Sequence, residues 1–339
     1  MLTARKEHIL KLIVGDYVAT ATPVGSESIA KKYGLEISPA TVRHEMSHLE
    51  EEGYITHPHT SAGRVPSDKG YRYYIEALMD RQGLPVEERQ FIRHELQRTE
   101  REFEIWGRLA AMLLAQLVRN VGLVTLPKAS ESRLKHLELI SLQDFLVMLV
   151  LVLHEARVKQ QILTMEEAIT QDELTSLANK LNAAYAGLAA SQVVVRPSTE
   201  ASPAEDLVTR AVVRLMQGED ERAYDDLYWD GLRHILQQPE FANAAKVRTI
   251  VEVFEDKNIL INILGHGADY GDVRVIIGTE NEHEAIRECS IVLTHYGVPG
   301  EVQGTIGVFG PTRMQYERVV SSVNYVASVM SELLSEVYG

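Results

Sequence analysis

Apolar positions recur at helical spacing from the first residues onward. In ARKEHILKLIVGDYVATA, Ile9, Leu12, Ile13 and Tyr17 fall on one helical face. Thr22-Pro23-Val24-Gly25 interrupts the pattern, and Ser26 is placed to cap a second helix, SESIAKKYGL, which Gly34 ends. Ser38-Pro39 opens a third, with serine as the cap and proline at the first helical position. This helix runs through ATVRHEMSHLEEE to Gly53. At about 100° per residue, Val42, Met46 and Leu49 share its inward side. Ala40, Thr41, His44, Ser47 and His48 lie roughly opposite, with Arg43 and Glu45 on the borders.

Period-2 segments follow. Tyr54-Ile55-Thr56 and Arg64-Val65-Pro66 predict two short strands, joined by a segment with Pro58 and Gly63. Such a ribbon after a helix-turn-helix pair is a wing. Ser67-Asp68 then caps KGYRYYIEALM. The outward face of the third helix is small, hydroxylated and imidazole-bearing, which suits a groove whose base edges and phosphates accept and donate hydrogen bonds. Candidates for the groove are Ser38, Thr41, Arg43, His44, Ser47 and His48. Candidates for phosphate are Lys31, Lys32, Arg64, Lys69 and Arg72, with Arg64 on the wing.

Residues 85–119 begin charge-dense and end apolar, as expected of a connecting helix. LKHLELISL, DFLVMLVLVL and RVKQQILTM predict an antiparallel meander. Strand signals vanish over 171–256, where DELTSLANKLNAAYAGL, AEDLVTRAVVRLMQ, ERAYDDLYWDGLRHIL and FANAAKVRTIVEVFED show helical period. They return at ILINILG, VRVIIG, CSIVLTHYG and VQGTIGVFG, and a final helix spans roughly 312–338 with an apolar stripe through Val319, Val323, Val326, Met330, Leu333 and Val337. A helical block between two β-rich blocks predicts an insertion into an α+β domain. The boundaries are 1–80 for a winged-helix domain, 81–119 for the connection, 120–170 with 257–339 for the sheet domain, and 171–256 for the insertion.

The 339 residues suffice for two or three cores. The longest apolar run, FLVMLVLVL at 145–153, suits a buried strand and not a bilayer span, so no membrane partner is expected. The first residues lack a secretory core, and the single Cys289 fits a reducing, cytoplasmic setting. The net charge of −14 is uneven: residues 1–79 hold 9 Lys/Arg against 10 Asp/Glu, and the remainder 25 against 38. A near-neutral reader on an acidic body permits a local DNA-binding face. Other chemistry is weak. His44 with His48, and His57 with His59, have spacings that zinc can use, but structural zinc wants four ligands and the cysteine is distant. GTIGVFGP lacks the Lys-Ser/Thr of a phosphate loop. Cys289 reads as a buried thiol, and Asp225-Asp226 with Glu219-Asp220-Glu221 as a solvated face. No cofactor, metal or catalytic group is expected.

TVRHEMSHLEEEGYI with PHTSAGRVPSDKGYRYYI, and NEHEAIRECSIVLTHYG with GTIGVFGPTRMQYERV, resemble the HrcA family of heat-inducible transcription repressors. The two regions bracket most of the chain. Where His44 stands, the family commonly has Asn. The resemblance implies an α+β multidomain fold: an N-terminal winged helix-turn-helix, a GAF-like α/β domain and a helical inserted dimerisation domain. It implies a homodimer on double-stranded DNA, at an inverted-repeat operator upstream of chaperonin and Hsp70-system operons. It also implies the chaperonin as the partner that keeps the repressor active until heat shock. The alternative is a ligand-responsive regulator or enzyme that senses a small molecule through the GAF-like domain.

Overall fold

Thr3 starts the chain's first helix, α1 (Ala4–Thr20), by accepting a hydrogen bond from the Lys6 backbone N–H. In this computed structural model the described residues are 2–34, 37–58, 63–80, 83–99, 102–129, 132–154, 158–194, 202–221, 227–265, 272–299 and 301–338. Helix α2 (Ser26–Lys32) leads to α3 (Pro39–Glu51). Ile9, Leu10, Ile13 and Val14 of α1, Ile29 of α2 and Val42, Met46 and Leu49 of α3 are all fully buried. Of the expected face of α1, Leu12 and Tyr17 are only half-buried, and Leu10 and Val14 take the fully buried places beside Ile9 and Ile13. Strands β1 (Ile55–Thr56) and β2 (Val65–Pro66) pair antiparallel, and Val24 bridges to Arg64 on the other side. Helix α4 (Asp68–Tyr73) begins one residue after β2, capped by Ser67, and continues as a π-helical turn at Tyr74–Leu78.

The predicted connecting helix is two helices, α5 (Val86–Gln97) and α6 (Phe103–Val118). Strand β3 (Val121–Thr125) follows, unanticipated, with every residue buried. Next come β4 (Lys128–Ala129), β5 (Leu134–Gln143), β6 (Leu146–Leu153), β7 (Val158–Thr164), and helices α7 (Gln171–Tyr185), α8 (Ala190–Val194) and α9 (Pro203–Glu221). The chain then forms β8 (Leu227–Asp230), α10 (Leu232–Leu236), α11 (Ala244–Glu255), α12 (Lys257–Gly265), β9 (Arg274–Ile277), β10 (Cys289–Val298), β11 (Val302–Pro311) and α13 (Tyr316–Tyr338).

Two compact units result. One comprises Met1–Leu126, Asp226–Gly297 and Gly304–Gly339; the other comprises Pro127–Asp225 and Val298–Gln303. In the first, a sheet ordered β8-β3-β11-β10-β9 places Val121, Leu123, Ile291, Leu293 and Phe309 in one core with Ile235, Ile250, Val253, Phe254, Leu260 and Leu264 from α10–α12. Val319, Val323, Val326, Met330 and Leu333 of α13 are buried, whereas Val337 is exposed. In the second unit, β5-β6-β7 is the predicted antiparallel meander. Its inner face, including Leu137, Val147, Leu149, Leu151 and Leu163, shares a core with α7–α9.

These units divide the chain differently from the sequence expectation. The meander packs with the helices of 171–221 rather than with the six-stranded sheet, in which β4 also pairs with β11, and 227–265 belongs to the sheet unit. Two local readings also change. ILINILG is helical, not a strand: Leu260, Ile263 and Leu264 are buried at helical spacing while Asn262 points outward, so period outweighs β-branched composition. LYWD, expected within a helix, is β8, and Gly231 at φ 96° separates it from α10.

Tyr71 is almost wholly buried, burial pushes its hydroxyl well above the usual tyrosine range, and that hydroxyl has no hydrogen-bond partner among the described residues. An unpaired buried hydroxyl is a cost without return. Tyr71→Phe should stabilise the fold by about 1 kcal/mol, seen as slower hydrogen exchange of α4 amides.

Candidate nucleic-acid interface

Three fully buried side chains fix the rotation of α3: Val42, Met46 and Leu49. The side turned away from them carries the predicted residues. Ser38 caps the helix, its Oγ accepting from Thr41 N at 3.1 Å and lying 3.0 Å from Thr41 Oγ1. Arg43 and His44 are exposed, and Thr41, Ser47 and His48 are half-buried. Ser47 Oγ donates to Arg43 O at 3.0 Å, so its lone pairs remain turned outward. The rings of His44 and His48 meet edge to face with Nε2 atoms 3.1 Å apart. His48 also faces Glu51, Nδ1 to Oε2 3.4 Å. The start of α1 flanks this surface, where Arg5 pairs with Glu45 at 3.5 Å and Lys6 with Glu52 at 2.5 Å. The Lys6 hydrogen bond holds the Glu52 carboxyl below the usual range. The structure therefore brings Ser38, Thr41, Arg43, His44, Ser47 and His48 onto one face.

The candidate phosphate ligands separate. Lys31 is exposed at the end of α2. Lys32 turns to the buried Asp16 carboxylate, and that hydrogen bond holds its ammonium above the usual lysine range. Lys69 donates to Glu52 O at 2.8 Å and sits 4.5 Å above the Tyr54 ring. Arg64 is largely covered and pairs with Glu50, Nε to Oε2 3.2 Å. His57 holds the other oxygen of Glu50. Glu50, which the sequence pattern did not single out, thus ties both strands of the ribbon to the last turn of α3. Arg72 corrects the expectation outright. Its Nη2 donates to Val275 O at 2.7 Å and its guanidinium grips Glu280, so it faces the sheet and not the α3 surface. No local pattern signals a partner 208 residues away.

Other motifs resolve simply. GTIGVFG lies inside β11, where a Cβ on Gly307 would come within 2.4 Å of Val292 O, so glycine there serves close packing. Cys289 is buried and burial pushes its thiol up. His59 and Asp225-Asp226 lie outside the described residues, and among those described no group of three or more His, Cys, Asp or Glu is gathered for a metal. A cavity of about 860 Å³ opens beside β9, lined in part by Arg72, Ile259, Ile276, Asn281 and His283. Its polar lining is engaged within the chain: Asn281 Nδ2 donates to Gly278 O at 2.7 Å, and His283 Nδ1 accepts from Ala285 N at 3.3 Å.

Residues 108–320 match the family model described as the HrcA protein C terminal domain. The heat-inducible transcription repressor HrcA of Dehalococcoides mccartyi (strain ATCC BAA-2266 / KCTC 15142 / 195) is 44% identical over 339 residues, covering 100% of this chain and 98% of that protein. That of Roseiflexus castenholzii (strain DSM 13941 / HLO8) is 42% identical over 345 residues, covering 100% and 96%. Both are named as repressors, not as enzymes. The crystal structure of a hypothetical protein at 2.2 Å shares the fold, with TM-score 0.59 and 22% identity over 99% of this chain and 98% of that one. No helix among the described residues is long and apolar enough to cross a membrane.

Ser38→Ala removes the α3 cap and should cost about 1 kcal/mol, measurable as roughly fivefold faster hydrogen exchange in the first turn of α3.

Proposed function

The chain belongs to the HrcA family of heat-inducible transcription repressors, and from that premise we propose that residues 1–80 are a winged helix whose α3 reads the major groove of an inverted-repeat operator. The observation that carries this reading is the outward face of α3: small and hydroxylated side chains with exposed Arg43 and His44, capped by Ser38 and held opposite a fully buried stripe. Helices with small outer residues enter a groove, and hydroxyl, imidazole and guanidinium groups match base edges. Ser38, Thr41, Arg43, His44, Ser47 and His48 contact bases or the flanking backbone. Lys31, Lys32 and Lys69 serve phosphates. Arg64 acts first through Glu50, setting the angle of the wing, and reaches phosphate only by exchanging that partner.

One such module spans few base pairs, so two copies act together on the two halves of the repeat. The outer face of the meander supports a homodimer. Ile140 pairs across to Met148, and Met148 to Ile162, on one surface. Ile162 is 58% exposed and Val158 61%, an unusual display for side chains that prefer burial. The remaining sheet unit is the GAF-like domain. The operator lies upstream of chaperonin and Hsp70-system operons. The chaperonin supports folding of the repressor, and heat diverts it to other clients. An apolar sheet face on an unpaired copy is the kind of surface a chaperonin binds.

Footprinting on a chaperone promoter should protect both halves of an inverted repeat; protection indifferent to the repeat would sink the reading. Thr41→Ala should lose preference between specific and scrambled duplexes more than it loses total affinity. Lys31→Ala should reduce the slope of log affinity against log salt by about 0.9, on specific and random DNA alike. Ile162→Glu should convert the dimer to a monomer in sedimentation and lower affinity for the full repeat to that for a single half-site.

A further inference from the structure

Residues 1–80 are bound to the sheet by a set of directional contacts from α4 and its neighbours. The Asp68 carboxylate, in the first turn of α4, accepts from Thr279 N at 2.9 Å and from Thr279 Oγ1 at 2.7 Å. One turn on, Arg72 Nε donates to Glu280 Oε1 at 3.0 Å, while Nη2 bonds Val275 O at 2.7 Å. Glu280 in turn accepts from Ile277 N at 2.9 Å, so the carboxylate is itself oriented. Tyr74 OH donates to Glu317 Oε1 at 2.6 Å. Arg313 Nη1 donates to Val18 O at 2.7 Å, with its Nε on Glu240 at 2.6 Å. Gly278 sits at φ +52°, and a Cβ there would come within 2.3–2.5 Å of the Asp68 carboxyl.

Apolar contacts tolerate sliding and rotation. Paired hydrogen bonds to charged groups do not, because each demands its own angle. The default between modules of one chain is relative motion, and this junction is built against it. It also has short reach to the DNA surface: α4 starts one residue after β2, and Ser67, between them, donates to Gly53 O at 2.6 Å.

We propose that Asp68 and Arg72, with Thr279 and Glu280, are positioning residues that fix the angle of the reading module on its own sheet, and thereby set the half-site spacing a pair of copies accepts. The inference rests on the inverted-repeat reading above. Two readers joined through their bodies can address a duplex only at the separation and rotation that their attachments allow. Inserting about five base pairs turns one half-site by half a helical turn, which a rigid pair cannot follow. A pair with loosened attachments can.

The test uses the full chain and a series of inverted-repeat duplexes whose central spacer is changed by one to about five base pairs. Thr279→Val and Glu280→Ala both lie outside residues 1–80 and leave α3 and the ribbon intact. Gly278→Ala perturbs the same junction by filling the space beside Asp68. The unaltered protein should prefer one spacing by about tenfold or more over the half-turn insertion, and the variants should flatten that preference to roughly threefold. Affinity for a single half-site should stay unchanged, which also reports that the variants are folded. Variants whose spacing profile superimposes on that of the unaltered protein overturn the inference alone. Variants that lose single half-site affinity in step with the full repeat also overturn it, since the junction would then act on the fold. An unaltered protein with no preference for any inverted repeat sinks the functional reading itself.

Discussion

Everything outward about α3 follows from what it hides. A helix has one rotation, and burying Val42, Met46 and Leu49 completely leaves no freedom in it. Those three contacts with α1 and α2 decide that Thr41, His44 and Ser47 face away, and Ser38 decides where the first turn begins. The apolar core of a module this small therefore sets its outer surface as much as any polar group does: a residue that slips inward carries the whole outward face of α3 with it.

The same logic runs through the attachments. Glu50 gathers His57 and Arg64, one from each arm of the ribbon, and anchors both to the end of α3. Asp68 and Arg72 do the equivalent between α4 and the sheet. Helix α3, ribbon and sheet are thus linked by successive charged contacts. Apolar burial sets the shape of each part, and the polar contacts set the angles between parts.

How much of this could be read from residues alone varied with the range of the interaction. The cap at Ser38-Pro39, the inward stripe of α3, the paired strands about Gly63 and the meander are local or periodic, and the structure has them where the pattern put them. Strand β3 was hidden because five buried residues directly after a helix carry no alternation. ILINILG misled because isoleucine-rich composition suggests a strand while the spacing of Leu260, Ile263 and Leu264 is helical. Which sheet the meander belongs to is a matter of long-range packing, invisible to any window. So were the partners of Lys32, Arg64 and Arg72, whose carboxylates stand 16, 14 and 208 residues away along the chain.

Those carboxylates have a consequence of their own. Arg5, Lys6, Lys11, Lys32 and Arg64 each lie against an acidic side chain of the same chain. The molecule carries its own fixed counterions. An anion that displaces such a carboxylate replaces one fixed counterion with another, so fewer mobile ions are freed than when a bare cation is neutralised. Any anion bound at these side chains must compete with a carboxylate that is already in place.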